Sequence, residues 1–196
     1  MEGGRGRRSP RAHSTVSANL RSGPRMMIQT GEFRLRTMLR SDLVQVHALE
    51  ERIFPTPWSM KSYQFELERN PASQQWVIET GNEDDSEVAA YTVCWILGDE
   101  IHIANLAVAP EFRRLGLARR LLSHVLIRSA VDGLQCATLE VRAGNLVAQS
   151  LYEGFGFRVM GRRRKYYRDN NEDALLMQLP HLDQLLVLRE ELVEEN

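Results

Sequence analysis

The 196-residue chain has almost no lysine: Lys61 and Lys165 are the two it contains, and arginine supplies its other basic side chains. Acids balance them to a formal net charge of −1. That excludes a molecule held on nucleic acid by an overall positive field. Cysteine is equally scarce. Cys94 and Cys136 lie far apart in apolar runs and read as small buried hydrophobes in a reducing compartment, with a disulfide between them as the alternative. The five histidines share no ligand spacing with each other or with the cysteines, so no metal site is expected. No apolar run approaches the ~20 residues of a transmembrane helix. Both familiar nucleotide loops are missing, G-x-x-x-x-G-K-S/T and G-x-G-x-x-G. What is present, 43% hydrophobic and 26% charged residues, suits one globular domain with a real core plus tails.

Residues 1–31 stand apart, rich in Arg, Ser and Gly with the single acid Glu2. Such a segment cannot bury a core and is expected to be disordered. It reads as a transit peptide or as an extension ahead of a start at Met26 or Met27. From Phe33 the pattern becomes regular. "FRLRTML" alternates as a strand. "RSDLVQVHALEERIF" is a helix capped by Ser41 or Asp42, and "MKSYQFELER" a second one capped by Ser59. "QWVIET" and "EVAAYTVCWIL" are strands across the polar turn "GNEDDS". "EIHIANLAV" is apolar almost throughout, as a central buried strand would be. A helix follows from about Arg114, with Leu115, Ala118, Leu122 and Val125 on its apolar face and Arg120, His124 and Arg128 opposite. "CATLEV" is a strand, "NLVAQSLYEGF" a helix capped by Asn145, and "FRVMGRRRKYY" with "DALLMQL" a closing hairpin. Residues 181–196 form an acidic amphipathic helix. The order β-α-α-β-β-β-α-β-α-β-β predicts an α/β fold, a mixed central sheet flanked by helices, over residues 32–180.

One stretch poses a question. In "VAPEFRRLGLARRLL" two arginines, Arg113 and Arg114, stand where a strand turns into a helix. Positive charge opposes the dipole of a helix N-terminus. A bound anion resolves the conflict: the first helical amides have no intrahelical acceptor, and the small Gly116 and Ala118 let a phosphate approach the backbone.

Arg-x-x-Gly-x-Ala, Arg113 to Ala118, resembles the pyrophosphate loop of the GNAT acetyltransferases, R/Q-x-x-G-x-G/A. Three more blocks point the same way and in the family's order. "IFPTPWSMKSY" resembles the F-x-x-P-W-S segment of the RimI branch. "LEVRAGNLVAQSLYEGFGF" is similar to L-x-V-R-x-x-N-x-x-A-x-x-L-Y-x-x-x-G-F of RimI and the N-terminal acetyltransferases, and "KYYRDNNEDALLMQL" to the end of the same group. The resemblance spans about Phe33 to Pro180. It implies the GNAT fold and acetyl-CoA as co-substrate. It implies transfer of acetyl to the N-terminal amine of a protein, in this branch the N-terminal alanine of a small-subunit ribosomal protein, by a cytoplasmic monomer that touches neither nucleic acid nor membrane. A small amine or a lysine side chain is the alternative acceptor. A silent acetyl-CoA sensor or scaffold is the alternative class, against which both catalytic positions are retained.

Acetyl transfer to an amine needs a base for the ammonium, stabilisation of the carbonyl oxygen and a proton for the departing thiolate. By the resemblance, Glu140 is the base, acting through water, and Tyr152 protonates the sulfur. Arg113, Arg114, Leu115, Gly116, Leu117, Ala118 and Arg119 hold the pyrophosphate. The backbone of Leu106, Ala107 and Val108, with Asn145, holds the pantetheine arm. Trp58, Tyr63, Tyr166 and Tyr167 flank the peptide, although Trp58 and Tyr63 suit core packing equally well. "GRRRKYYR" reads as a solvated hairpin. Two positions depart from the commonest pattern: Ala118 replaces glycine, which the family allows, and Gly144 replaces a serine, which should loosen the loop after Glu140.

Overall fold

Side-chain alternation and caps set the elements, and the computed structural model describes them over residues 33–82 and 85–186. The expected disordered tail at residues 1–31 and most of the expected C-terminal helix lie outside that range. Strand β1 (Arg34–Thr37) leads through a short 3-10 turn (Arg40–Asp42) into helix α1 (Leu43–Ile53), then α2 (Met60–Glu68), β2 (Ser73–Thr80), β3 (Glu87–Leu97) and β4 (Glu100–Val108). A second 3-10 turn (Pro110–Phe112) precedes α3 (Leu117–Val131), followed by β5 (Cys136–Arg142), α4 (Leu146–Glu153), β6 (Arg158–Tyr167) and β7 (Glu172–Pro180). The element order is the one expected from the pattern.

The seven strands form one sheet in the order β1-β2-β3-β4-β5-β7-β6. β4 and β5 are its parallel pair, joined through α3; the other neighbours are antiparallel. β7 inserts between β5 and β6, so the arginine-rich β6 is an exposed edge. Positive charge is a natural guard for such an edge.

Two apolar clusters hold helices to the sheet. One packs Leu43, Val46 and Leu49 of α1 and Tyr63 of α2 on β2 and β3; the other packs Leu122, Val125 and Leu126 of α3 and Tyr152 of α4 on Ile101, Ile103, Leu139 and Met177. The buried Leu182 joins the second cluster, with Leu185 and Leu186 against it. Helices α1 and α2 cover β2, β3 and the Asn105 end of β4, and leave the Glu100–His102 end open. β4 therefore alternates buried and half-buried residues along its length instead of being buried throughout as expected. Its half-buried side chains Glu100 and His102 look onto the uncovered part of that face.

Local details differ from the sequence pattern where a tertiary partner wins. Ser59 caps α2, its side chain accepting from the Ser62 amide. Asp42 does not cap α1. Its carboxylate turns back to the Leu39 amide and takes both ends of the Arg36 guanidinium, at 2.6 and 2.9 Å. Helix α3 starts at Leu117, not near Arg114, because Arg114 (φ 62°) and Gly116 (φ 79°) are both left-handed. Leu115 thus falls in the loop and is exposed. His124 leaves the polar face of α3 for the ring of Trp76, with centroids 4.4 Å apart. Both cysteines are free, Cys94 buried and Cys136 half-buried.

Candidate active site

The sheet opens where its two parallel strands part. β4 and β5 pair from Glu100↔Cys136 to Ile103↔Leu139 and no further, although both strands continue. Beyond that point β4 stays with β3 and β5 stays with β7. A bulge marks the parting: Val93 pairs with Asn105 and Cys94 with Ile103, leaving Ala104 as the extra residue in β4. Such a residue bends its strand. Among the described residues, the edge of β4 facing β5 at Leu106, Ala107 and Val108 is therefore without a ladder partner. The side chain of Ala107 is buried, so its backbone is what it can offer.

Both helices that follow these strands begin at the open end. In α3, Gly116 is the N-cap and no side chain caps the helix; the first helical bond runs from the Arg120 amide to the Gly116 carbonyl. The amides of Leu117, Ala118 and Arg119 are thus left without intrahelical acceptors. A Cβ at Gly116 would meet none of the described residues within 4 Å, so space lies open among them in front of these amides. Glycine is required there for its φ as well as for access. Arg113, Arg114 and Arg119 are exposed around the turn. The Leu117 side chain is not: it lies in the core at 4% exposure, so its amide alone can serve a ligand. In α4, Asn145 Oδ1 accepts from the Ala148 amide at 3.1 Å, which leaves its side-chain NH2 free. Gly144 does not loosen the preceding loop as expected. Its amide donates to Glu172 Oε1 at 2.7 Å, and a Cβ there would sit 2.9 Å from that oxygen. This amide is the first cause of the lowered pKa of Glu172.

Glu140 is the first β5 residue past the last β4 pair. Its side chain, 12% exposed, contacts His102 Nε2 at 3.1 Å through one oxygen and Arg163 Nη1 at 3.1 Å through the other. It lines a groove of about 410 Å³ on the uncovered sheet face, with Trp95, His102, Thr138, Arg163 and Gln178. Tyr152 comes from the other side, packed among Leu139, Val141 and Phe157. Burial raises its pKa, with Tyr167 and Cys94 adding to the shift, and holds it as the phenol, the form that can donate. Tyr167 is likewise pushed up to about 12, first by burial; Glu140 and Tyr166 raise it further while Arg142 pulls it down. Glu140 and Tyr152 thus approach the parting strands from opposite faces of the sheet, and Tyr167 is electrostatically coupled to both.

The remaining expected residues divide. Arg142, clamped by Asp169 at 3.0 Å and Glu172 at 3.1 Å, lies 3.8 Å above the Tyr167 ring and fixes it. Tyr166 is exposed at 45% and packs edge-on against Tyr167. Trp58 is half-buried and stacks on Trp95, which stacks on His102. Tyr63 does not flank a ligand site: it is 0% exposed, and its hydroxyl donates to Glu50 Oε2 at 2.9 Å. Its ring fills the core and its polar tip is used there.

Sequence reasoning missed Glu50 and His102. Glu50 is a carboxylate at 1% exposure that accepts from Tyr63, from Tyr91, from Asn105 Nδ2 at 3.0 Å and from the Trp58 amide at 3.0 Å. It ties the α1–α2 loop to β4 at the bulge. Glu50 had a signal: it stands seven residues after Leu43 and four after Val46, on the buried face of α1. His102 had a signal: the alternation Ile-His-Ile puts it on the face opposite the apolar pair, and Thr138 and Glu140 alternate likewise.

The Acetyltransferase (GNAT) family matches residues 43–157. The ribosomal protein bS18-alanine N-acetyltransferase of Escherichia coli (strain K12) is 35% identical over 144 residues, 71% of this chain and 92% of that protein. A Bacillus subtilis (strain 168) protein provisionally given the same name is 38% identical over 148 residues, 73% of this chain and 92% of its own length. The crystal structure of the Escherichia coli ribosomal-protein-S18-alanine N-acetyltransferase superposes with a TM-score of 0.69 at 32% identity, over 76% of this chain and 94% of that one.

Proposed function

The chain belongs to the GNAT acetyltransferase family and is an acetyl-CoA-dependent N-acetyltransferase of the RimI type; from that premise we propose that it acetylates the N-terminal alanine of ribosomal protein bS18, with Glu140 as base and Tyr152 as acid. The observation that carries the acceptor class is the open groove beside Glu140. A peptide needs such a groove, whereas a small amine favours a closed pocket.

The pyrophosphate is held by the free amides of Leu117, Ala118 and Arg119, with Arg113 and Arg114 adding charge-assisted contacts. The pantetheine arm pairs with the free edge of β4 at Leu106 to Val108 and with the Asn145 side-chain NH2. An amide on that edge stabilises the thioester oxygen as it gains charge. The acceptor enters along the groove, flanked by Trp58, which stacks on the groove's Trp95, and by Tyr166 and Tyr167 beside its Arg163. Its ammonium gives a proton to Glu140, directly or through one water, and displaces Arg163 from Oε1. The neutral amine attacks the thioester carbonyl. Tyr152, held as the phenol by burial, donates its proton to the departing sulfur, and the surplus proton on the new amide nitrogen returns through water to the Tyr152 oxygen. On this reading the enzyme works as a monomer in the cytoplasm.

The test is a panel of peptides that differ in their first residue, including the bS18 N-terminus and an α-N-blocked copy. The proposal expects the highest kcat/KM for free N-terminal alanine in the bS18 context and none for the blocked copy. Equal turnover of the blocked copy through a lysine would refute it.

A further inference from the structure

His102 lies beside Glu140 on the same face, and its partners fix where its protons are. The register pairs His102 with Thr138 across β4 and β5. His102 Nδ1 is 2.9 Å from Thr138 Oγ1, and the same hydroxyl donates to the Glu100 carboxylate. A hydroxyl has one proton and an ionised carboxylate only accepts. Thr138 therefore gives its proton to Glu100 and accepts from His102, so Nδ1 carries a proton. Nε2 faces Glu140 Oε2 at 3.1 Å. A bare imidazole nitrogen and a bare carboxylate oxygen repel, so this contact is made for one shared proton. The ring is held for it by stacking on Trp95, centroids 5.6 Å apart and planes 18° off parallel.

We propose that His102 relays the proton that Glu140 takes from the substrate amine, an inference that rests on Glu140 being the base. The N–H bond of the ammonium breaks and an O–H bond forms on Glu140. That proton passes to His102 Nε2, leaving Glu140 ionised and His102 an imidazolium. Once the product has left, the imidazolium gives its Nε2 proton to water in the groove, which restores the Nδ1–H tautomer that Thr138 holds and Glu100 supports. No electrons change hands, and one proton leaves per acetyl transferred. An imidazole that already carries a proton on Nε2 when the amine arrives cannot accept another. The charged groups facing it are Glu100 on its own strand, Glu140 on β5 and Arg163 on β6; β3 and β7 present Trp95, Leu97, Leu176 and Gln178, which carry no charge.

The experiment is the pH profile of kcat at saturating acetyl-CoA and peptide, for wild type, His102→Phe, His102→Gln, Glu140→Gln and the double variant His102→Phe/Glu140→Gln. Phe keeps the ring on Trp95; Gln keeps a polar group that does not titrate and serves if Phe melts early. Both single His102 variants should lose about tenfold or more in kcat, keep the acetyl-CoA KM, and lose the acid limb of the wild-type profile. The double variant should be no slower than Glu140→Gln. If folded His102 variants keep the limb while Glu140→Gln falls, the relay is refuted and the base stands. An unchanged Glu140→Gln refutes the base, and the relay with it.

Discussion

Gly116→Val separates the two reasons for glycine at the start of α3. A Cβ at Gly116 meets none of the described residues within 4 Å, and φ is +79°. The cost to folding is therefore backbone strain and not a clash, on the order of 1–2 kcal/mol for an L side chain in the left-handed region. For a chain of this size that lowers Tm by about 2–8 °C. The cost to binding is different, because the same open space is where the pyrophosphate is proposed to meet the amides. Losing one hydrogen bond to a charged group costs ~1.5–3 kcal/mol, which raises the acetyl-CoA KM about 10- to 150-fold. Gly116→Asn is the control. Asparagine tolerates positive φ, so it should recover most of the Tm while still obstructing the ligand. The assays are thermal melting and the acetyl-CoA KM at saturating peptide. A folded Gly116→Val with wild-type KM would refute the pyrophosphate assignment.

Other perturbations test other parts. Glu140→Gln and Tyr152→Phe should each lower kcat by about ten- to ten-thousand-fold with little change in acetyl-CoA affinity; rising pH, which supplies free amine, should rescue Glu140→Gln and not Tyr152→Phe. Glu50→Ala strips four donors of a buried acceptor and should cost ~3–5 kcal/mol, read as a large fall in Tm, with Glu50→Gln costing less. Tyr63, Tyr91 and Tyr152 all have raised pKa values, with burial the first cause. Their unfolded forms give up protons near pH 10 while the folded forms keep them, so their stabilisation is complete below pH ~10 and is lost as pH climbs above it; Tyr152→Phe should flatten that alkaline fall in Tm. Removal of residues 1–25, which hold few apolar groups to bury, should leave kcat and Tm nearly unchanged.

The fold was legible because each element carries its own local signal. Ser59 and Asn145 sit at caps that their side chains do make, and the strands stand out as β-branched and apolar runs between turns. The failures share one cause, a distant partner overriding a local preference. Asp42 leaves its helix for Arg36, and Tyr63 spends its hydroxyl on Glu50. The site was legible as motif and not as geometry. Spacing marked Glu140 and Tyr152 through the family pattern, but only the strand pairing shows that β4 and β5 part at Ile103 and Leu139. The Glu140–His102 contact is likewise a matter of register, fixed by which residues face each other across β4 and β5 and not by either strand's own pattern.

The central claim is transfer of acetyl from acetyl-CoA to one amine. Full-length bS18 with a free N-terminal alanine, incubated with acetyl-CoA and either wild type or Glu140→Gln, tests it through peptide mapping by mass spectrometry. The account predicts a single acetyl group on the alanine α-nitrogen with wild type and a strongly reduced yield with Glu140→Gln. Acetyl on lysine side chains with the α-amine left free, or equal yields from the two enzymes, would contradict it.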